Sequence, residues 1–230
     1  MNSNLIKIAV ILLYIICYTF QVIFLIVEKQ KKFLLSLYLK GLCSLVFVCL
    51  GIFSSRFSSE VFFNKCILIG LCFDASADVI FNLRFAFEKL KNLSFFGGAV
   101  LFFTGHVFYL VALFPNVNNL LTYLIIFAVI DILILIFFGI TLKIKLSYKI
   151  FGVFYISQVS LMATMSLGFL NSHFVFGRLI FSIGALFFLL SDILLIYNTF
   201  HTKKIYPIRV ISFITYYTGQ LLIATSLFWI

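Results

Sequence analysis

The hydrophobic positions of the chain fall into long runs that are separated by short polar segments. Each run reaches the ~20 apolar residues that a helix needs to cross the hydrocarbon core of a bilayer. None shows the alternation of polar and apolar residues that a membrane β-strand requires. The pattern therefore predicts an all-α, polytopic membrane helix bundle. Its eight transmembrane helices are predicted at residues 5–27, 33–53, 61–83, 94–114, 119–140, 150–170, 175–198 and 207–228.

Composition agrees with this prediction, because 64% of the 230 residues are hydrophobic and only 10% are charged. A soluble domain averages about 25% charged residues. The segments between the runs are too short to form a soluble domain. We therefore predict a single integral membrane domain over residues 1–230.

The basic residues indicate topology. Twelve Lys and Arg residues, Arg84 and Arg209 among them, lie in or beside the segments after spans 1, 3, 5 and 7, and four lie on the opposite side. By the positive-inside rule, the odd-numbered loops face the cytoplasm and both termini face outward. We expect a multi-pass protein of a bacterial inner membrane or an equivalent one. The net charge of +10 forms no basic patch beside an aromatic platform, so we expect no nucleic-acid partner.

An internal repeat relates the two halves of the chain, at about 1–116 and 117–230. Four pairs of Gly or polar residues share one sequence offset of 114 residues, namely Gly70 and Gly184, Asp78 and Asp192, Gly105 and Gly219, and His106 and Gln220. An offset that contains four spans predicts two parallel four-helix repeats, because an even number of crossings preserves direction.

Four aspartates lie within the predicted spans, and each is expensive to bury in lipid if it is ionised. These residues are Asp74, Asp78, Asp131 and Asp192. Such residues either join helices by hydrogen bonds or serve a functional site. For Asp131 the two interpretations stay open. For Asp78 and Asp192 the repeat favours a functional site.

Polar groups on several spans lie at one depth in the cytoplasmic half. Asp78 and Asp192 each lie roughly six residues, or about 9 Å, from the cytoplasmic ends of their spans. Lys40 and Tyr155 fall at a similar level. Asp74 lies four residues before Asp78, on the same helix face. Two carboxyl groups so close in a medium of low dielectric cannot easily both be ionised, and a general acid needs this arrangement.

The fourth and eighth spans carry further candidate groups. His106 and Tyr109 share one face of span 4, and Tyr216, Tyr217 and Gln220 lie in the matching region of span 8. His106 is either a structural hydrogen-bonding residue or a proton shuttle. The tyrosines are equally compatible with core packing. The histidines are not spaced as metal ligands, so we expect no metal and no cofactor.

These residues resemble the YhhN family of eight-span membrane proteins, whose characterised animal members are lysoplasmalogenases. The resemblance covers spans 2 to 8. It is carried by the YLKG stretch at 38–41, Gly70-Leu71, Phe73, Asp78, Gly105-His106, Tyr109, the Met162 region, Ser191-Asp192, Asn198, Tyr217 and Gln220. This sequence departs from the family pattern at Gly41, Ala77 and Asp74.

The resemblance implies hydrolysis of the vinyl ether bond of a lysoplasmalogen. The products would be a fatty aldehyde and glycerophosphoethanolamine or glycerophosphocholine. Asp78 and Asp192 would be the catalytic acid/base pair, and Lys40 would hold the lipid phosphate. The remaining substrate-binding residues would be Asp74, His106, Tyr109, Tyr155, Ser191, Asn198, Tyr217 and Gln220. The partners would be the lysophospholipid substrate and membrane lipids.

Two other functions stay open. Parallel repeats with polar residues at midplane also occur in carriers, so a lipid or small-molecule transporter or binding protein without catalysis is the alternative. The additional carboxyl group of Asp74 also leaves room for a related membrane hydrolase that acts on another lipid ether, ester or epoxide.

Overall fold

The computed structural model describes residues 3–230, with side chains from residue 5 onward. Within this range the chain forms α-helices and two 3-10 turns, at Glu88–Leu90 and Phe114–Asn116, and no strand. The α-helices are α1 (Ser3–Lys29), α2 (Phe33–Ser55), α3 (Val61–Ala86), α4 (Lys91–Leu113), α5 (Leu120–Thr141), α6 (Leu146–Ser172), α7 (Phe176–Phe200) and α8 (Tyr206–Ser226). Each predicted span corresponds to one helix.

The difference from the predicted helix bounds that matters most for the candidate site is at the end of α3. The predicted span ended at residue 83, and Arg84 was assigned to the following loop. The helix instead continues to Ala86, so Arg84 lies in its last turn. Arg84 stacks on Phe81 and Phe85, with its guanidinium carbon 3.8 and 4.6 Å from their ring centroids. This stacking allows a charged residue to extend the helix.

Seven of the described helices, α1 to α7, are long and apolar enough to cross a membrane, which defines a multi-pass membrane protein. The prediction of an all-α membrane protein is therefore confirmed. Helix α8 does not reach the same hydropathy, because its buried face includes Thr215, Tyr216, Tyr217 and Gln220. An eighth span remains a prediction.

Six helices form a closed ring in the order α2, α3, α4, α6, α7 and α8, with α8 returning to α2. Helix α1 packs mainly on α2, and α5 packs on α6, outside this ring. Helix α5 buries only Tyr123, Asp131 and Phe138, and the rest of its surface consists mostly of half-buried or exposed apolar side chains. Polar side chains of the ring helices point inward, where the candidate site lies.

Two helix pairs approach closely through glycine. A methyl group on Gly105 of α4 would lie 3.0 Å from the carbonyl oxygen of Gly70 on α3. A methyl group on Gly184 of α7 would lie 2.9 Å from the carbonyl oxygen of Gly219 on α8. Larger residues would force the two backbones apart. Small residues at helix interfaces are typical of membrane bundles for this reason.

Candidate active site

Asp78 on α3 is surrounded by donors. Lys40 Nζ lies 3.1 Å from Asp78 Oδ1. Three hydroxyl groups donate to Asp78 Oδ2: Ser44 at 2.6 Å, Tyr216 at 2.8 Å and Tyr217 at 3.3 Å. All five residues are buried. An ionised carboxylate only accepts hydrogen bonds, and this arrangement of one cation and three hydroxyl groups matches it.

Asp192 on α7 has a different environment. Its one hydrogen bond within the described residues comes from Tyr155 on α6, at 2.6 Å from hydroxyl to Asp192 Oδ2. No Lys, Arg or His of residues 5–230 lies within ion-pair distance of Asp192. The side chain is buried, and it faces the same small cavity as Asp78. The two predicted catalytic residues therefore meet at one space.

That cavity has a volume of about 30 Å³. A site needs about 10–15 Å³ to hold one water molecule, so there is room for about two. Its polar walls come from α2, α3, α7 and α8, and they are formed by Lys40, Asp78, Asn82, Arg84, Ser191, Asp192, Arg209, Ser212 and Tyr216. The walls are completed by Phe and Leu side chains.

An apolar groove of about 60 Å³ adjoins the cavity between α3, α4, α6 and α7. Phe81, Phe102 and Leu195 line both spaces. The far part of the groove is lined by Phe95, Phe151 and Phe200 among others, and Tyr155 also lines it. An alkyl chain in this groove would approach Asp192 from the side of Tyr155.

Asp74 does not line the cavity. It accepts hydrogen bonds from the Tyr109 hydroxyl and from Gln220 Nε2, both at 2.8 Å. Gln220 Nε2 also lies 3.5 Å from the Tyr216 hydroxyl, so polar groups continue from Asp74 to Asp78. A methyl group on Gly105 would lie 2.5 Å from Asp74 Oδ1, so only glycine leaves room for this carboxyl group.

His106 is buried beside these residues without joining a carboxyl group. Its Nδ1 lies 2.7 Å from the carbonyl oxygen of Phe102, and a carbonyl only accepts, so Nδ1 carries the hydrogen. Nε2 has no partner among the described residues. The ring packs against Phe188, with centroids 4.6 Å apart. The neutral ring is part of the wall behind Tyr109 and Tyr155.

The structure does not bring every predicted site residue to the cavity. Asn198 accepts a hydrogen bond from the backbone N–H of Ile205 at 2.8 Å, which fixes the connection between α7 and α8. Ser191 does line the cavity, and its backbone carbonyl accepts from Ser212. Asp131 accepts from Ser157 at 2.8 Å and Ser160 at 2.9 Å, which favours the structural interpretation of Asp131.

Several residues that line the cavity or contact Asp78 were not predicted as site residues. Ser44 and Asn82 could have been found, because each lies four residues after a predicted one, Lys40 or Asp78, on the same helix face. Tyr216 was placed only in the region of span 8 that matches His106 and Tyr109. Arg84 and Arg209 were counted only as indicators of topology. The structure shows that both lie at the cavity.

Buried carboxyl groups that share a polar cavity inside a ring of apolar helices define the class: a multi-pass membrane protein with an enclosed polar site. Comparison with family models then identifies the chain. It belongs to the YhhN family, whose model matches residues 35–227 and therefore includes every cavity residue. The resemblance noted from the sequence is thus confirmed. Comparisons with curated proteins and with solved structures find no match.

Proposed function

We propose that this protein is a membrane hydrolase that cleaves the vinyl ether bond of lysoplasmalogens. Membership of the YhhN family supports this class of activity. The observation that carries the proposal is the unequal pair of buried carboxyl groups, Asp78 and Asp192, at a cavity with room for water. A vinyl ether is cleaved by protonation and hydration, and these two steps need one acid, one base and one water molecule.

In this mechanism Asp78 is the ionised carboxylate. Lys40 and three hydroxyl groups stabilise its negative charge. Lys40 is thereby engaged with Asp78, so we assign it to the carboxylate and not to the substrate phosphate. The fixed charge would stabilise the cation that forms during the reaction. It would also orient the attacking water.

Asp192 is the general acid. It has one hydroxyl donor and no cationic neighbour within ion-pair distance among residues 5–230, and it faces the same cavity as the charged Asp78. Two neighbouring carboxyl groups in low dielectric share one proton more readily than they both ionise. The group with fewer donors is the better holder of that proton.

The reaction balances with water as its only co-reactant. Asp192 donates its proton to the double-bond carbon that is remote from the ether oxygen, and an oxocarbenium ion forms at the carbon bonded to that oxygen. Water adds to that carbon and gives up a proton to Asp78, which yields a hemiacetal. In the collapse of the hemiacetal its hydroxyl proton is transferred to the glycerol oxygen, the carbon–oxygen bond to glycerol breaks, and a fatty aldehyde and a glycerophospho-base are released. The proton taken by Asp78 returns to Asp192 for the next turnover.

We also propose an architecture of eight spans in two parallel repeats, with the site in the cytoplasmic half of a bacterial inner membrane or an equivalent one. Helix pairing supports the repeats: α1–α2, α2–α3, α3–α4 and α4–α6 correspond to α5–α6, α6–α7, α7–α8 and α8–α2. A contact made by each outer helix, α1 and α5, also supports the repeats. Cys17 contacts the Cys43 carbonyl, and at the same offset of 114 residues Asp131 contacts Ser157.

Incubation of the detergent-purified protein with a lysoplasmalogen tests the proposal directly. Aldehyde should appear together with an equal amount of glycerophospho-base. A saturated ether of the same chain length should yield neither, because it has no double bond to protonate. No aldehyde from any lysoplasmalogen headgroup would contradict the activity. Movement of lipid across a reconstituted bilayer in that case would favour the transporter.

A further inference from the structure

We propose that Arg84, Arg209 and Asn82 form a binding site for the phosphodiester group of a lysophospholipid, at the opening of the cavity that holds Asp78 and Asp192. The lipid identity rests on the proposed function, whereas the anion site rests on the structure alone. All three side chains line that cavity. They come from the end of α3 and the start of α8.

Arg84 is a cation without an acidic partner. Its guanidinium group stacks on Phe81 and Phe85, and Phe95 lies 5.4 Å from it. Its Nε is buried and has no hydrogen-bond partner, and no carboxylate of residues 5–230 lies within ion-pair distance. Arg84 is half-buried, and a cation that is partly withdrawn from water without an acidic partner is costly, which indicates a missing anion. The planar guanidinium fork suits phosphate oxygens.

Arg209 brings a second guanidinium group to the same opening. It is 6.0 Å from the Phe85 ring and is held by Glu28 of α1, with Nη2 2.7 Å from the Glu28 carboxylate. At the cavity, Lys40 balances Asp78 and Arg209 balances Glu28. With Asp192 neutral, as proposed above, Arg84 is left as one uncompensated positive charge. A phosphodiester carries one negative charge and would balance it.

Asn82 supplies an independent observation. Its side chain is 1% exposed and lines the cavity, yet neither its amide nitrogen nor its oxygen has a hydrogen-bond partner among the described residues. Buried amides are normally satisfied, so this group indicates a ligand or a water molecule. It lies one helical turn after Asp78 on the same helix face, and it lines the cavity together with Asp78 and Arg84.

The layout fits the shape of a lysophospholipid. The apolar groove lined by Phe81 and Phe102 would take the alkyl chain, and the vinyl ether would lie between Asp78 and Asp192. The phosphate would then reach Arg84 and Arg209. Free phosphate shares the chemistry of the headgroup but would leave the groove empty, so the two sources can be separated by experiment.

Binding of uncleavable analogues tests this site. The analogues are a saturated 1-O-alkyl lysophosphocholine, the 1-O-alkylglycerol of the same chain length, and inorganic phosphate. Affinity is measured from the dependence of the thermal unfolding midpoint of purified protein on ligand concentration. The wild-type protein should bind the phosphate-bearing lipid about tenfold more tightly than the alkylglycerol, as expected for charged hydrogen bonds.

Arg84→Gln should remove this difference and leave affinity for the alkylglycerol unchanged. Arg178→Gln is the matched control, because Arg178 also stacks on a phenylalanine, Phe169, but lies outside the cavity lining. If Arg84→Gln does not fold, Arg209→Gln and Asn82→Leu should each reduce the difference. The measurement with the wild-type protein requires no variant.

Equal affinity of the wild-type protein for both lipids would overturn the proposal, and so would an unchanged preference in Arg84→Gln. Full stabilisation by inorganic phosphate alone would overturn the lipid assignment. Failure of the proposed function is separately recognisable. Phosphate-dependent binding without aldehyde release contradicts the hydrolase alone, and aldehyde release without phosphate-dependent binding contradicts this site alone.

Discussion

Asp78 and Asp192 occupy matching positions in the two halves of the chain, but their neighbours differ. Asp78 has four donors, Lys40, Ser44, Tyr216 and Tyr217, whereas Asp192 has one, Tyr155. At an offset of 114 residues, the counterparts of the four donors are Phe154, Gln158, Phe102 and Phe103. The counterpart of Tyr155 is Gly41. The residues at these matching positions therefore do not give Asp192 the set of donors that surrounds Asp78.

The comparison shows that the donors on neighbouring helices determine the environment of each carboxyl group. Gln158 illustrates this, because its amide donates to the carbonyl of Phe103 at 3.0 Å and does not reach Asp192. A symmetric pair would have two equal sites. The observed asymmetry gives one carboxyl group with four donors and one with a single described donor, as the proposed base and acid would require.

The strongest test of this comparison removes either carboxyl group. Asp78→Asn and Asp192→Asn should each lower the rate of aldehyde release by about 10³-fold, within the usual range for an essential acid or base. Asp131→Asn is the matched control. Its carboxyl group is held by Ser157 and Ser160 away from the cavity, and full activity is expected. Normal turnover in either site variant would exclude that aspartate from the mechanism.

The ion pair between Lys40 and Asp78 should make the Asp78 half more sensitive to charge removal. Lys40→Met leaves a buried carboxylate without its cation and should lower the free energy of unfolding by about 3 kcal/mol. The double variant Lys40→Met with Asp78→Asn should regain most of this stability. Thermal unfolding in detergent measures both. If the double variant were as unstable as the single one, the two groups would not act as a pair.

Substitutions at close helix contacts test whether the two halves of the chain pack in the same way, although their aspartates have different neighbours. A methyl group at Gly184 would lie 2.9 Å from the Gly219 carbonyl oxygen, and one at Gly70 would meet the Tyr109 ring. Gly184→Ala and Gly70→Ala should each lower the free energy of unfolding by about 2 kcal/mol. Gly139→Ala on α5 is the control, because nothing lies within 4 Å of its new methyl group. A neutral Gly184→Ala would contradict the close approach of α7 and α8.

Removal of single hydroxyl groups gives the smallest effects and the finest comparison. Tyr155→Phe removes the one described donor of Asp192 and should slow aldehyde release by about tenfold. Tyr216→Phe leaves Asp78 with Lys40 and two hydroxyl groups, so its effect should be about threefold. Initial rates at saturating substrate measure both. A larger effect for Tyr216→Phe would reverse the assignment of acid and base.

The helices were predictable from the sequence because lipid demands long apolar runs, and the predicted spans correspond to the described helices. That Lys40 lies level with Asp78 and Tyr155 with Asp192 was predictable too, since position along a straight helix follows from residue number. The end of α3 was not. The charge of Arg84 led to its assignment to the loop after the span. In the structure Arg84 lies in the last turn of α3, where it stacks on Phe81 and Phe85.

Partner choice within the bundle could not be derived from the sequence. Tyr155 was predicted at the level of both aspartates, but its contact with Asp192 and not Asp78 depends on the rotation of α6 against α7. Asn198 was assigned to the site from the family pattern, yet its side chain turns to the backbone of Ile205. Rotation and rotamer are set by side-chain packing among many residues, which no single motif encodes.

The shared wall of Phe81 and Phe102 has a consequence for how a lipid would enter. The cavity and groove together amount to about the space of a few solvent molecules, so neither admits a fatty chain at rest. These two rings would have to swing aside first, against the lateral pressure of the surrounding bilayer. The rate at which a lipid enters would then depend on membrane fluidity, independently of the rate of bond cleavage.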